Sequence, residues 1–157
     1  MSAWWCTAHP RRMESECRMT AYTIGLGCDR GVPLATVRDA VLLALAQAGA
    51  RPGEVVAAAS ITLKRDEAAL LALAQEQGWP LHFYEAQALA AVPVPNPSET
   101  VRRYTGTPSV SEAAALLAAG PAKGQAAPVS ALVIEKYKHR GRDGKNATVS
   151  IARKQGT

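Results

Sequence analysis

The residues best placed to do chemistry sit in one stretch, Tyr22-Thr23-Ile24-Gly25-Leu26-Gly27-Cys28-Asp29-Arg30-Gly31-Val32-Pro33. Gly25, Gly27 and Gly31 can take positive φ and let a ligand approach the main chain closely, and the amphipathic run that begins at Leu34 would offer unpaired N–H groups to an anion. Cys28 lies just before that helix start and beside Arg30, surroundings that lower a thiol pKa and favour a nucleophile. No histidine is near it in sequence to serve as its base, and a small buried cysteine at a turn fits the same pattern. The stretch is equally consistent with a glycine-rich turn that holds no ligand.

Two nucleotide-binding readings fail on individual residues. A dinucleotide loop needs a third glycine where this chain has Arg30, and an acid near the end of the second strand, where it has Ser60-Ile61-Thr62. A phosphate-binding loop of the NTPase type needs Gly-Lys-Ser/Thr after the glycines, and none follows. Metal sites fare no better. Cys6, Cys17 and Cys28 form no CxxC pair, and His9, His82 and His139 are widely separated, so no metal, cofactor or disulfide framework is expected and a reducing cytoplasm fits.

Charge points to an anionic partner. Between Glu135 and Thr157 there are seven Lys/Arg and two acids, a local excess equal to the whole formal net charge of +5. Such a patch suits a phosphate, a polycarboxylate or nucleic acid, and equally a solvated hairpin. Nucleic acid is disfavoured, because Tyr137 is the one aromatic accompanying these charges and base stacking needs more. Lys64, at the end of the second apolar run, could receive a carboxylate or phosphate, or simply stand exposed in a βα loop.

The elements that must position these groups follow in order. The 157 residues make one domain, large enough to bury about two-thirds of its unfolded-chain surface. No run reaches the roughly 18 apolar residues of a membrane span, and no signal peptide is recognisable, so no membrane partner is expected. Residues 1–20 read as a disordered tail, with Met13 and Met19 as alternative translation starts, and 21–154 as the domain. Leu34, Val37, Ala40, Val41, Ala44, Leu45 and Ala48 recur at helical spacing before a capping Gly49. Glu54 to Ile61 reads as a strand buried on both faces. Asp66 is a candidate N-cap for a helix that ends at Gly78, and Pro80 to Tyr84 is a short strand near an edge.

Three prolines in Val92 to Ser98 exclude helix and central strand, and Ser98 can cap a short helix from Glu99 to Arg103. Ser109 and Glu112 have capping-box spacing ahead of a helix over Ala113 to Ala119. Two rigid loops feeding two helix starts could form a pocket rim, or could be only well-made turns. Val129 to Tyr137 and Asn146 to Arg153 are strand-like, and the Asp143-Gly144 turn between them predicts an antiparallel hairpin. The fold class expected is α/β: a mainly parallel βαβαβ sheet flanked by helices, with a C-terminal antiparallel hairpin.

Five blocks in a fixed order carry a resemblance. Gly25 to Gly31, Thr62 to Glu67, Val94 to Glu99, Gly106 to Ala115 and Asn146 to Arg153 together resemble the family of CobE and the C-terminal domain of CbiG, from cobalamin (vitamin B12) biosynthesis. In size the chain is similar to the stand-alone form. The resemblance implies a cytoplasmic α/β domain of the corrin pathway and assigns no catalytic residue. The chain departs from the family pattern in its longer basic insert between Lys136 and Lys145.

Together these readings predict a protein that binds or hands on a precorrin-like or hydrogenobyrinic acid-type tetrapyrrole, with other corrin-pathway enzymes as possible partners. Its carboxylates would meet Arg30, Lys64, Lys136 and backbone N–H groups around Gly27, Ser98 and Ser109. Gly25, Cys28, Asn96 and Thr107 complete the expected site, and all should converge on one edge of the sheet. The competing reading is a hydrolase or lyase of the cobalt-precorrin hydrolase type, with Cys28 or Lys64 catalytic.

Overall fold

A computed structural model describes residues 20–107 and 109–155. Apart from Thr20, the tail expected over 1–20 lies outside the described residues. Five strands form one sheet in the order β3-β2-β1-β5-β4: β1 is Tyr22–Cys28, β2 Val55–Ile61, β3 Leu81–Tyr84, β4 Leu132–Arg140 and β5 Asn146–Arg153. β1, β2 and β3 are parallel, while β5 runs antiparallel to both β1 and β4. Four strands therefore point the same way, and β5 alone is reversed.

Helices α1 (Leu34–Ala48) and α2 (Ala68–Gln77) cover one face of the sheet. Their apolar stripes, Val37, Val41, Leu45, Leu70 and Leu73, pack on Ile24 and Leu26 of β1 and Val149 and Ile151 of β5. α3 (Ala86–Ala90) and α5 (Val110–Ala119) lie on the other face, and α5 is buried along nearly its whole length. α4 (Glu99–Thr105) stands between the two proline-rich loops. No helix among the described residues is long and apolar enough to cross a membrane.

The fold class matches the expectation, and three local readings change. The glycine stretch is strand for most of its length, since β1 continues through Cys28, pairing Gly25 with Ser150 and Gly27 with Thr148; only Gly31 takes positive φ, at 75°. Asp66 does not cap α2. The N-cap is Glu67, and Asp66 turns instead to Arg30. Ser109 and Glu112 form no capping box, because the Ser109 hydroxyl accepts no bond from its helix and Glu112 binds Asn96. The hairpin turn is as expected, with Gly144 at φ 87° and Gly141 N donating to Lys145 O at 2.8 Å.

Gly25 shows where in this stretch a glycine is required for packing. A Cβ there would overlap the Ser111 carbonyl oxygen of α5 and stand 2.7 Å from Ala115 N, both rigid helix backbone. At Gly27 the nearest atom to an added Cβ is Thr148 Cβ at 3.9 Å. Gly25→Ala should therefore destabilise the fold by about 3 kcal/mol, as overpacking against backbone does, and Gly27→Ala by well under about 1 kcal/mol. Urea denaturation of both variants measures the difference, and equal midpoints would refute the close-packing account.

Candidate functional site

A cleft of about 610 Å³ opens where β1 and β2 end, the edge at which open parallel sheets hold ligands. Gly27 and Cys28 enter it from the end of β1, Arg30 from the loop that follows, and Lys64 from the single 3-10 turn Thr62–Lys64 after β2. The N-caps of α4 and α5, Ser98 and Ser109, form part of another wall, and Lys136 and Lys138 project from β4. Ile61, Leu63, Val101 and Val110 add an apolar lining. A second, more open cavity of about 460 Å³ adjoins it and shares Ser98, Lys136 and Lys138, with Asn96 and Glu135 on its far side.

Seven of the ten residues expected to form a site thus line the main cleft, and Asn96 lines its neighbour. Gly25 and Thr107 line neither. Gly25 lies under α5, and Thr107 is fully buried, its N–H donating to Thr105 Oγ1 at 3.3 Å. Their roles are in packing and loop shape.

The cations differ in what already engages them. Arg30 Nη1 pairs with Asp66 at 2.7 Å and Glu67 at 3.2 Å, and its Nη2 donates to Leu63 O at 2.7 Å. It therefore ties the loop after β1 to the loop after β2, and its hydrogen bond holds the Asp66 carboxyl below its usual range. Glu67 Oε2 accepts from Gly31 N at 3.0 Å, fixing the same loop. Lys136 Nζ donates to Asn96 O at 3.0 Å, and burial pushes its pKa down, an effect that Glu112 partly opposes. Among the described residues, Lys64 and Lys138 make no ion pair.

Glu112 is fully buried in the first turn of α5, followed by an apolar run from Ala113 to Ala119. Asn96 supports it with Nδ2 at 2.6 Å and its backbone N at 3.3 Å, and the same Nδ2 reaches Glu135 at 3.1 Å. A single amide thus joins α5, the proline-rich loop and β4. Sequence reasoning gave Glu112 to a capping box, and nothing local in the sequence shows its partner 16 positions away. Lys138 was a missed cleft residue with a legible signal: it stands two positions beyond Lys136, on the same side of a strand.

Cys28 fits the buried-cysteine reading of its turn better than the lowered-pKa one. Burial raises the thiol to about 11, and the nearby Lys64 and Arg30 offset only part of that rise. The neighbouring Glu67 and Asp29 carboxylates push it further in the same direction. No group of three or more His, Cys, Asp or Glu that could hold a metal occurs among the described residues.

With this geometry in view, comparison with known proteins is decisive for family. The model of the cobalamin synthesis G C-terminus matches residues 22–152. The chain belongs to that family. It is 43% identical over 99 residues to Protein CobE of Sinorhizobium sp, covering 62% of this chain and 64% of that protein. It is 38% identical over 103 residues to the cobalt-precorrin-5A hydrolase of Priestia megaterium, covering 66% of this chain and 28% of the hydrolase. The chain therefore spans less than two-thirds of CobE and little more than a quarter of the hydrolase.

Among solved structures, the crystal structure of CobE from the cobalamin biosynthetic pathway superposes with a TM-score of 0.68 at 33% identity, covering 85% of this chain and 90% of that one. Cobalamin biosynthesis protein chiG of Agrobacterium tumefaciens gives 0.57 at 30% identity over 84% and 97% of the two chains. The chain is a cobalamin biosynthesis protein of the CobE and CbiG C-terminal type. Its α/β fold is that of CobE.

Two outcomes follow from the site's geometry. In a Cys6→Ser/Cys17→Ser background, Cys28 at pH 8 should carry roughly a hundredfold less thiolate than an ordinary cysteine, because its pKa near 11 lies two units above the reference of 9.0. Iodoacetamide labelling should accelerate as pH rises through 11, and fast labelling at pH 7 would contradict the buried-thiol account. Asn96→Ala should destabilise by about 2–3 kcal/mol, since the buried Glu112 carboxylate would lose its side-chain donor and keep only the backbone N–H of residue 96. Thermal and urea midpoints check this value.

Proposed function

We propose that this protein binds a precorrin-like, hydrogenobyrinic acid-type tetrapyrrole in the cleft and hands it on within the corrin pathway. The observation that carries the reading is the juxtaposition of Lys64, Lys136 and Lys138 with an apolar lining at the carboxyl edge of the sheet. A corrin-ring precursor has a broad apolar body fringed with carboxylates, so both halves of that lining have a counterpart on it. Charge-assisted hydrogen bonds from the lysines fix the carboxylates, and burial of the ring against Ile61, Leu63, Val101 and Val110 supplies the non-directional part of the affinity.

Membership of the CobE and CbiG family supports the choice of ligand class, and one relative's name specifies a cobalt-precorrin-5A hydrolase. Binding is favoured over hydrolysis by the chain's own residues. Burial raises the Cys28 thiol, and among the described residues no histidine lines the cleft to activate it or a water. The reading places the protein in the cytoplasm beside corrin-pathway enzymes that would supply and receive the ligand.

Titration with hydrogenobyrinic acid, followed by its visible absorbance, should give a saturable change that weakens as salt rises. Lys64→Gln and Lys136→Gln should each lower affinity about tenfold, the scale of one charge-assisted contact. No saturable change with hydrogenobyrinic acid or any precorrin would overturn the proposal. Conversion of an intermediate by the purified protein, abolished in Lys64→Ala or Cys28→Ala, would establish the hydrolase reading instead.

A further inference from the structure

The N-terminus of α5 stands out within the cleft. Ser109, Val110 and Ser111 all line it, and α5 has ten residues, so its first N–H groups carry the positive end of a full helix. The first main-chain bond of this turn is Ala113 N to Ser109 O at 3.3 Å, and among the described residues the amides of Val110, Ser111 and Glu112 have no partner in the preceding turn. Side chains usually close such an end, and here they do not. Ser109 accepts no bond from its own helix, Ser111 Oγ is engaged by Ser150 Oγ at 2.9 Å, and Glu112 is turned away to Asn96.

A second and independent observation concerns the Ser109 hydroxyl. Ser109 is 1% exposed, it lines the cleft, and its Oγ has no hydrogen-bond partner among the described residues. A buried hydroxyl without a partner is uncommon and calls for a group that the protein alone does not supply. The neighbouring helix shows the closed arrangement. At α4, Ser98 Oγ accepts from Val101 N at 3.2 Å and is used up as a cap.

We propose that the α5 N-terminus is a seat for one carboxylate, bound by the Ser109 hydroxyl and the amides of Val110 and Ser111. The carboxylate is carried on an apolar body, because Ile61, Val101 and Val110 flank the same cleft. The seat refines the tetrapyrrole reading, on which it rests for the ligand's size. It assigns an orientation: one acidic side chain enters toward α5, and the others stay near Lys64, Lys136 and Lys138. A neutral ester in that position has no anionic oxygen to offer the helix end, so the seat distinguishes acid from ester.

The test uses ¹⁵N-labelled full-length protein titrated separately with hydrogenobyrinic acid and with 4-phenylbutyrate at millimolar concentration. Both should shift the amide resonances of Ser109, Val110 and Ser111, while methyl 4-phenylbutyrate should leave them in place. Ser109→Ala should weaken hydrogenobyrinic acid about tenfold. Ser109→Asp supplies its own carboxylate, so it should abolish binding and raise the thermal midpoint by capping α5. Hydrogenobyrinic acid that binds without moving these amides, with Ser109→Asp binding as wild type, overturns the seat and leaves the tetrapyrrole reading intact. Phenylbutyrate that moves them while no tetrapyrrole binds does the reverse. If neither compound moves them, the seat is wrong.

Discussion

The contact on which the rest of this structure depends is the approach of α5 to β1 at Gly25. Helix backbone comes so near the strand that no Cβ fits between them, and Thr23 Oγ1 donates directly to Ala115 O at 2.8 Å. Such proximity needs small residues on both sides, which the chain provides with Gly25 on the strand and Ala113, Ala114 and Ala115 on the helix. The short alanine side chains lose little conformational entropy on burial, so dense packing here has a low entropic cost. Because α5 is pinned along β1, its N-terminus is delivered to the edge where β1 and β2 end. The cleft and its helix end are consequences of one helix–strand contact.

Around that contact, charge is used in two ways. Some groups are paired within the protein and set the shape of the loops: Arg30 with Asp66 and Glu67 across two βα connections, and Asp29, whose Oδ2 accepts from Asn146 N at 2.8 Å, between β1 and β5. Others face the cleft without a counter-ion among the described residues, as Lys64 and Lys138 do. Arg30 suits the first role because its planar fork can hold two acids and a carbonyl at once, while a lysine is a compact donor that a ligand can take over. Lys136 is intermediate. Its side chain lines both cavities, its Nζ donates to Asn96 O, and its burial makes protonation more costly.

How much of this was legible in the sequence depends on the range of the interaction. Periodicity located α1 and β2, because burial of one helix face or both strand faces writes itself locally. Asp143-Gly144 announced the hairpin for the same reason. The glycine stretch was placed at the right edge of the sheet and given the wrong conformation. Glycine is compatible with a turn and with close packing alike, and the deciding atom, Ser111 O, belongs to a helix 86 positions from Gly25 in the chain. Glu112 and Asp66 were read as helix caps because capping spacing is a local code. Both were drawn away by partners distant in sequence, Asn96 and Arg30, whose stronger bonds outcompete an N-cap. Convergence on one edge was legible from the rule that open parallel sheets gather their loops where the strands end, and each of the five sequence blocks places at least one residue in the cleft lining.

The thiol at Cys28 gives the final constraint on what the cleft can do. A nucleophile at neutral pH needs a nearby positive group or a base strong enough to offset desolvation, and here desolvation prevails although Lys64 and Arg30 are close. Arg30 lowers the thiol less than Lys64 does, and its partner Glu67 raises it, as does Asp29. The same ion pairs that order the loops thus withdraw the electrostatic support that catalysis by Cys28 would require. Their effect on binding is the opposite: a loop held rigid by Arg30 and Glu67 loses less entropy when a ligand enters, so the cleft is organised in advance. Pairing Arg30 internally therefore spends its charge on the shape of the two βα loops, and leaves Lys64 and Lys138 as the cleft cations without an ion pair among the described residues.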